Sequence, residues 1–307
     1  MKLSIVATMY HSSSYIEEFC ARITAVACPI TDDFEIVLVN DGSPDDSLAK
    51  SLALSQRDRH VVVVDLSRNF GHHKAILAGI AHARGAFVYL TDIDLEEEPE
   101  LLTELWDTMQ RNPDTDVIGA VQSQRKSGWM NALLGNMAWR IMKAMTPLQV
   151  ERNQLATRLM TRRYVDALMT YPEKDVFLEA LCAEVGFKQI FVLATKLQPE
   201  NSTYTFRKRL KLFMVGVTAF TTAPLIYSLI AACVLFAISA MFAVYALVMA
   251  LVGNPLPGWA SIVLMVAIAT AIITLVQGMT ALYVAHIFNE VKNRPLTIIR
   301  QVHGREH

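Results

Sequence analysis

Two carboxylates, Asp92 and Asp94, close the apolar run Phe87-Val88-Tyr89-Leu90-Thr91 at a spacing of i, i+2. Side chains alternate along a strand, so this spacing points both acids the same way. Where a strand gives way to a loop, paired carboxylates can hold a divalent cation through oxygen ligands. A cation held there can bridge a diphosphate and stabilise it as a leaving group. Two solvated loop acids are the plain alternative, because short motifs also match by chance. Glu96 could add an oxygen ligand, directly or through water. Glu97, Glu98 and Glu100 read as solvated acids that favour a helix N-terminus.

The acids need a scaffold, and the first two thirds of the chain alternates strand and helix signals. Leu3 to Thr8 reads as a buried strand. Ser14-Tyr15-Ile16-Glu17 fits a capping box, and Ile16, Phe19, Ile23 and Val26 then mark one helical face. Phe34 to Val39 is a second strand, Ser47 to Gln56 a helix, and Val61 to Val64 a β-branched third strand. Lys74 to Ala83 reads as a helix stopped by Gly85, and Pro99 as the first residue of a helix through Met109. Val117 to Val121 is a fifth strand. This order predicts a mostly parallel sheet with helices on both faces.

In such sheets ligands bind at the carboxyl ends of the strands. Thr8-Met9-Tyr10, Asn40-Asp41-Gly42, Arg68-Asn69-Phe70-Gly71 and Asp92-Ile93-Asp94 all fall there. Asp41 can accept hydrogen bonds from a base or ribose, although Asn-Asp-Gly-Ser is also a good turn sequence. Arg68 and Lys74 could pair with phosphate oxygens, or be surface charges. His72 and His73 would point about 100° apart on a helix, which disfavours a shared metal site and suits a polar loop at the site rim.

The last third is different. No Asp, Glu, Lys or Arg occurs from Leu212 to Asn289. A bilayer core needs roughly 20 apolar residues per helix, and two such spans are present, about Pro224 to Val252 and Trp259 to Phe288. Gly253-Asn254-Pro255-Leu256-Pro257-Gly258 separates them as a turn cluster. A buried helical pair of a soluble protein would ordinarily keep a polar stripe. Arg207, Lys208, Arg209 and Lys211 precede the first span and Lys292, Arg294 and Arg300 follow the second, so both termini are expected on the cytoplasmic side of an inner membrane. Phe206 to Thr222 is expected to lie in the interface.

The composition agrees with a divided chain. Of 307 residues 53% are hydrophobic, and the mean hydropathy is +0.31. The expected division is a soluble domain over 1–205, an interfacial helix over 206–223, two membrane helices within 224–288 and a cytoplasmic tail over 289–307. The net charge of -1 gives no sign of a nucleic-acid partner, and none is expected. Cys20, Cys28, Cys182 and Cys233 lack metal-type spacing and suit a reducing cytosol. Leu3 to Met9 is too short an apolar run for a signal peptide.

Taken in order, the blocks Ile5 to Tyr10, Val39 to Ser43, Ser67 to Gly71 and Thr91 to Glu100 resemble the family-2 glycosyltransferases. The branch is that of the polyprenyl-phosphate sugar transferases, similar to dolichol-phosphate mannose synthase and bactoprenol glucosyltransferases. Arg158 to Arg163, Gly186 to Gln189, Ser202 to Lys208 and Glu290 to Pro295 continue the resemblance through the apolar segment. It implies a GT-A fold and an inverting transfer from a nucleotide-diphosphate sugar (UDP-, GDP- or dTDP-linked) to a polyprenyl phosphate, undecaprenyl or dolichyl, for cell-envelope glycan or glycoprotein assembly. It implies nucleotide-sugar contacts from Thr8, Tyr10, Asp41, Arg68, Lys74 and Asp92. It implies Mg²⁺ or Mn²⁺ at Asp92, Asp94 and Glu96. Arg125, Arg158, Ser202 and Arg207 would face the phosphates, with Asp94, Arg158 and Arg207 taking part in the chemistry. Its partners are expected to be these substrates, the membrane and further copies of itself.

The sequence also departs from the family. Thr8-Met9-Tyr10-His11-Ser12 stands where relatives read Pro-x-Tyr-Asn-Glu, and Ala156-Thr157-Arg158 where they read Asp-Phe-Arg. Glu151, Asp175 or Glu179 could supply the missing carboxylate, and nothing in their spacing selects one. Two further readings are a processive polysaccharide synthase, whose Gln-x-x-Arg-Trp motif is absent, and a catalytically inactive membrane scaffold. A dinucleotide oxidoreductase would need a Gly-x-Gly-x-x-Gly turn after the first strand, which is also absent.

Overall fold

The computed structural model describes residues 1–122, 153–171, 178–194, 223–251 and 258–304. These fall into two compact units, one holding a sheet with its helices and the chain from Arg294 onward, the other holding two long helices.

The sheet has eight strands. They are β1 (Leu3–Met9), β2 (Phe34–Asn40), β3 (Val61–Leu66), β4 (Phe87–Leu90), β5 (Val117–Gln122), β6 (Gln154–Thr161), β7 (Gln189–Ala194) and β8 (Ile299–His303). Their order across the sheet is β7-β5-β6-β4-β1-β2-β3-β8. The ladders β1–β2, β1–β4, β2–β3 and β5–β7 are parallel, while β4–β6, β5–β6 and β3–β8 are antiparallel. The mostly parallel sheet is therefore present, with β6 reversed in its middle.

Side-chain alternation explains how both faces are covered. From β1, Leu3, Ile5, Ala7 and Met9 join one core with Leu38, Phe19 and Ile23. Val6 points the other way, to Val37, Val39, Ile76 and Ile80. The first face carries α1 (Ile16–Ala27), α2 (Ser47–Arg57) and α4 (Leu101–Arg111). The second carries α3 (His72–His82), α5 (Arg162–Leu168) and α6 (Leu178–Glu184).

Several local expectations change. Helix α1 starts at Ile16 after Tyr15 with no side-chain cap, so Ser14 and Glu17 do not form the capping box. Helix α4 starts at Leu101, two residues after Pro99, which lies in the preceding turn. Helix α3 starts at His72, so both histidines belong to its first turn rather than to a loop. Glu97 is not a solvated acid; it is 3% exposed and accepts a hydrogen bond from Thr157 Oγ1. The segment expected as a tail contributes β8, where Arg300 reaches Asp65 Oδ2 at 3.1 Å and the Ser67 carbonyl at 2.9 Å. Arg300 is thus a tie within the sheet, not a free charge flanking an apolar span.

The other unit contains α7 (Ala223–Leu251) and α8 (Trp259–Val291). Within α8, Ile268–Ala285 is long and apolar enough to cross a membrane, and only 6% of it is buried inside the protein. Leu225–Leu235 of α7 is a shorter apolar stretch. Large apolar side chains such as Leu229, Met241, Ile273 and Leu275 stand exposed on these helices.

Candidate active site

Parallel register lines up the ends of β1, β2 and β3, with Met9 beside Asn40 and Asn40 beside Asp65. The loops leaving these strands meet around Asp41. Its Oδ1 accepts the Phe70 N–H at 2.7 Å and its Oδ2 the Gly71 N–H at 3.0 Å. Burial pushes the Asp41 carboxyl up, and these two backbone donors oppose that push. Asp41 is therefore first of all the clamp that holds the Arg68–Gly71 turn, with lone pairs left on each oxygen for a ligand.

The clamp needs close backbone approach. A Cβ on Gly42, where φ is +61°, would lie 2.5 Å from the Asn69 nitrogen and 2.6 Å from the Arg68 carbonyl carbon. Both neighbours are backbone and cannot swing away. Gly42→Ala is expected to cost about 1–3 kcal/mol from overpacking and a strained φ, read as a lower denaturant midpoint, and to weaken nucleotide binding. A midpoint equal to wild type would show that the fold does not depend on this close approach.

Beside Asp41, Asp45 gathers Ser13, Ser43 and Ser47. Although desolvation acts against it, the hydroxyls of Ser43 and Ser47 and the N–H groups of Ser13 and Ser47 hold this carboxyl well below the usual range. Ser43 Oγ also accepts the N–H of His11, a residue at φ +55°. The segment Asn40-Asp41-Gly42-Ser43-Pro44-Asp45 contains the acceptors this network needs. Arg68 lies over the Phe70 ring at 4.1 Å and donates to the Asn69 carbonyl. Tyr10 is exposed at the end of β1, and Lys74 is half-buried in the first turn of α3.

Strand β4 ends at Leu90, so Asp92 sits beyond it in the loop and Asp94 in the turn that follows. The alternation still holds between them: Ile93 is buried in the core while Asp92 is half-buried and Asp94 exposed. Asp94 Oδ1 accepts the Glu96 N–H at 3.0 Å, and Leu95 turns the chain with φ at +58°. Among the described residues no three His, Cys, Asp or Glu side chains gather as a metal cluster, so Glu96 does not complete a set with the two aspartates. A pair of carboxylates nonetheless fits a hard cation, since Mg²⁺ is commonly held by one or two carboxylates together with substrate phosphates.

His72 links the two halves of the site. Its Nδ1 lies 3.1 Å from Thr8 Oγ1 and its Nε2 3.6 Å from Asp92 Oδ1. Arg158, on β6 opposite Leu90, is 0% exposed, with Nε donating to the Ala156 carbonyl and Nη2 to the Leu155 carbonyl. A direct contact with the phosphate of a bulky lipid does not suit so enclosed a guanidinium. Arg125, Ser202 and Arg207 lie outside the described residues, as do Glu151 and Asp175.

The structure thus brings Thr8, Asp41, Arg68, Lys74 and Asp92 to one sheet edge. Comparison with known proteins places that edge in context. Residues 4–167 match the family model "Glycosyl transferase family 2". A Mycobacterium tuberculosis protein named among glycosyltransferases is 36% identical over 100% of this chain and 90% of its own length. The undecaprenyl-phosphate 4-deoxy-4-formamido-L-arabinose transferase of an Enterobacter species is 28% identical, over 99% of this chain and 94% of its own. A solved mannosyltransferase from Pyrobaculum calidifontis, in complex with GDP-Man and Mn²⁺, superposes with a TM-score of 0.51 at 20% identity, covering 95% of this chain and 86% of that one. That likeness carries the α/β GT-A fold.

Proposed function

The chain belongs to glycosyl transferase family 2, and from that premise we propose that it moves a sugar from a nucleotide-diphosphate donor to a polyprenyl phosphate at a membrane. The observation that carries this reading is the meeting of Asp41, the Arg68–Gly71 turn and Asp92 at the carboxyl ends of adjacent parallel strands. Asp41, Thr8 and Tyr10 would receive the nucleoside, with Arg68 and Lys74 toward its phosphates. Asp92 and Asp94 would hold Mg²⁺ or Mn²⁺, which when bound neutralises the diphosphate leaving group.

The acceptor reading rests on the exposed apolar surface of α7 and α8 and on the undecaprenyl-phosphate relative. A phosphate monoester has a second pKa of about 6 and is mostly a dianion at neutral pH, already a competent nucleophile. The protein then has to align that oxygen with the anomeric carbon and shield two phosphate groups from each other. Arg125, Ser202 and Arg207 are the residues assigned to that phosphate. The buried Arg158 adds positive potential from beneath. This accounts for Ala156 standing where relatives carry Asp: the nucleophile has no proton to lose.

Chain connectivity supports two crossings. The chain leaves the sheet unit, runs through α7 and α8, and returns to supply β8. A segment that departs from and rejoins one water-soluble domain crosses a bilayer an even number of times. Both flanks of the apolar pair are then cytoplasmic, and residue 254 is outside. With the native cysteines removed, Asn254→Cys is expected to react with a membrane-impermeant maleimide added from outside; labelling from the cytoplasm alone would eliminate the two-crossing arrangement. The function itself is tested by incubating purified protein with undecaprenyl phosphate, Mg²⁺ or Mn²⁺, and UDP-, GDP- and dTDP-sugars. One donor is expected to yield a lipid-phosphate-linked sugar, and no product from any of them would refute the reading.

A further inference from the structure

Relatives end the first strand in Pro-x-Tyr, and this chain has Thr8 where that proline would stand. The structure gives the threonine hydroxyl a partner. Thr8 Oγ1 lies 3.1 Å from His72 Nδ1, and the other nitrogen of the same ring, Nε2, lies 3.6 Å from Asp92 Oδ1. All three groups reach solvent at the candidate site. The His72 side chain is 46% exposed and that of Asp92 28%, and Thr8 is half-buried. A ligand entering at the strand ends meets this row directly.

Local folding sets the row. Strands β1 and β4 are parallel neighbours with Val6 beside Leu90, and the Thr91 N–H extends the ladder to the Val6 carbonyl at 3.1 Å. Thr8 and Asp92 each come two residues later, so alternation keeps them on the face of Val6 and Leu90. That face is the one α3 covers with Ile76 and Ile80. Helix α3 lies close on the sheet because Gly79 has no side chain: a Cβ there would stand 2.5 Å from Val6 Cγ1 and 2.7 Å from Val39 Cγ2. Gly71, the residue before the helix, is held by Asp41 Oδ2. His72 is the first residue of α3 and so emerges at the strand ends, between Thr8 and Asp92.

We propose that His72 is a positioning residue for the cation: it holds Asp92 Oδ1 so that Oδ2 is left to coordinate, and the Thr8 hydroxyl fixes the ring. A carboxylate only accepts, so the ring nitrogen that faces Asp92 carries the proton. The other nitrogen of a neutral imidazole is then an acceptor, and the threonine hydroxyl donates to it. The Thr8 oxygen keeps its lone pairs for the nucleoside. A proline at position 8 has no hydroxyl and would leave the ring free to turn. At 3.6 Å, just beyond hydrogen-bond length, the N–H acts on the carboxylate through its dipole. The imidazole is not itself a ligand, because Mg²⁺ and Mn²⁺ favour oxygen. Partners outside the coordination sphere orient the ligands and tune metal affinity.

This proposal rests on the reading in which Asp92 and Asp94 hold the cation, and the test separates the two. The full chain is titrated with Mn²⁺, alone and with UDP, GDP or dTDP, and free Mn²⁺ is followed by electron paramagnetic resonance. His72→Ala is expected to raise the Mn²⁺ dissociation constant roughly 10-fold, the lower end of the effect of removing such a partner. His72→Gln keeps an N–H at the end of the side chain and should recover much of that loss. Thr8→Val keeps the shape without the hydroxyl and should weaken Mn²⁺ binding by less. It should add nothing once His72 is alanine, because both residues act through one ring. Unchanged Mn²⁺ affinity in His72→Ala, where Asp92→Asn loses it, overturns this proposal alone. So does a Thr8→Val effect of full size in the His72→Ala background. A loss in His72→Ala as large as that in Asp92→Asn, with no recovery in His72→Gln, would make the imidazole a ligand and overturn it too. A wild type that takes up no Mn²⁺ with any of the three nucleotides, or an Asp92→Asn variant that binds as wild type does, removes the cation reading and this proposal with it.

Discussion

Asp94→Asn is expected to lower sugar transfer by at least ~100-fold, the usual scale for removing a group aimed at charge that develops in the transition state. The leaving group is a nucleoside diphosphate, and bond cleavage adds negative charge to it. Asp94 is exposed on the turn after β4, near the half-buried Asp92, so its exchange for a neutral amide disturbs no packing. The variant should melt with wild type, bind the free nucleoside with unchanged affinity in the absence of metal, and require far more Mg²⁺ or Mn²⁺. Asp92→Asn should behave alike and also lose the His72 contact at 3.6 Å. Turnover near wild type in both variants, with metal still required, would place the cation elsewhere.

The next largest effect is expected at Asp41, and there stability and binding fall together. Both oxygens accept backbone N–H groups, from Phe70 and Gly71. Asparagine has a single oxygen, so one N–H would face an NH₂ group. Losing one buried hydrogen bond to a charged acceptor costs about 1.5–3 kcal/mol. For a domain of this size that lowers the melting temperature by roughly 3–12 °C. The freed turn carries Arg68 and lies next to the first turn of α3, so nucleotide-sugar affinity should drop as well. A calorimetric scan with and without nucleotide checks both. Asp41→Asn that melts with wild type and binds the nucleotide equally would show that the clamp is dispensable.

What the sequence made legible follows from how local each signal is. Strands β1 to β5 are largely apolar runs with turn residues behind them, and each was readable on its own. Strands β6, β7 and β8 were not. Gln-Leu-Ala-Thr-Arg-Leu-Met-Thr has a charge in mid-strand, and Ile-Arg-Gln-Val-His is short and polar. They are strands because of the neighbours they pair with, and pairing partners far along the chain leave no local trace. The candidate site divides the same way. The convergence of Thr8, Asp41, Arg68 and Asp92 follows from strand ends in a parallel sheet. The clamp on Phe70 and Gly71, the burial of Glu97 and the enclosure of Arg158 depend on tertiary distances. His72 as the link from Thr8 to Asp92 was within reach, because a helix that starts just after Gly71 places it at the strand ends.

Strand β8 also sets an order in time. The edge of β3 is closed by residues near the end of the chain, with Asp65 and Arg300 separated by 235 positions. A ribosome adding ~5–20 residues per second needs on the order of 10–50 s to bridge that interval. Through all of it Val61 to Leu66 must wait with an unpaired flank, while α7 and α8 emerge and find their own surroundings before the sheet is finished. Strand β8 can pair with β3 only after both long helices have been synthesised.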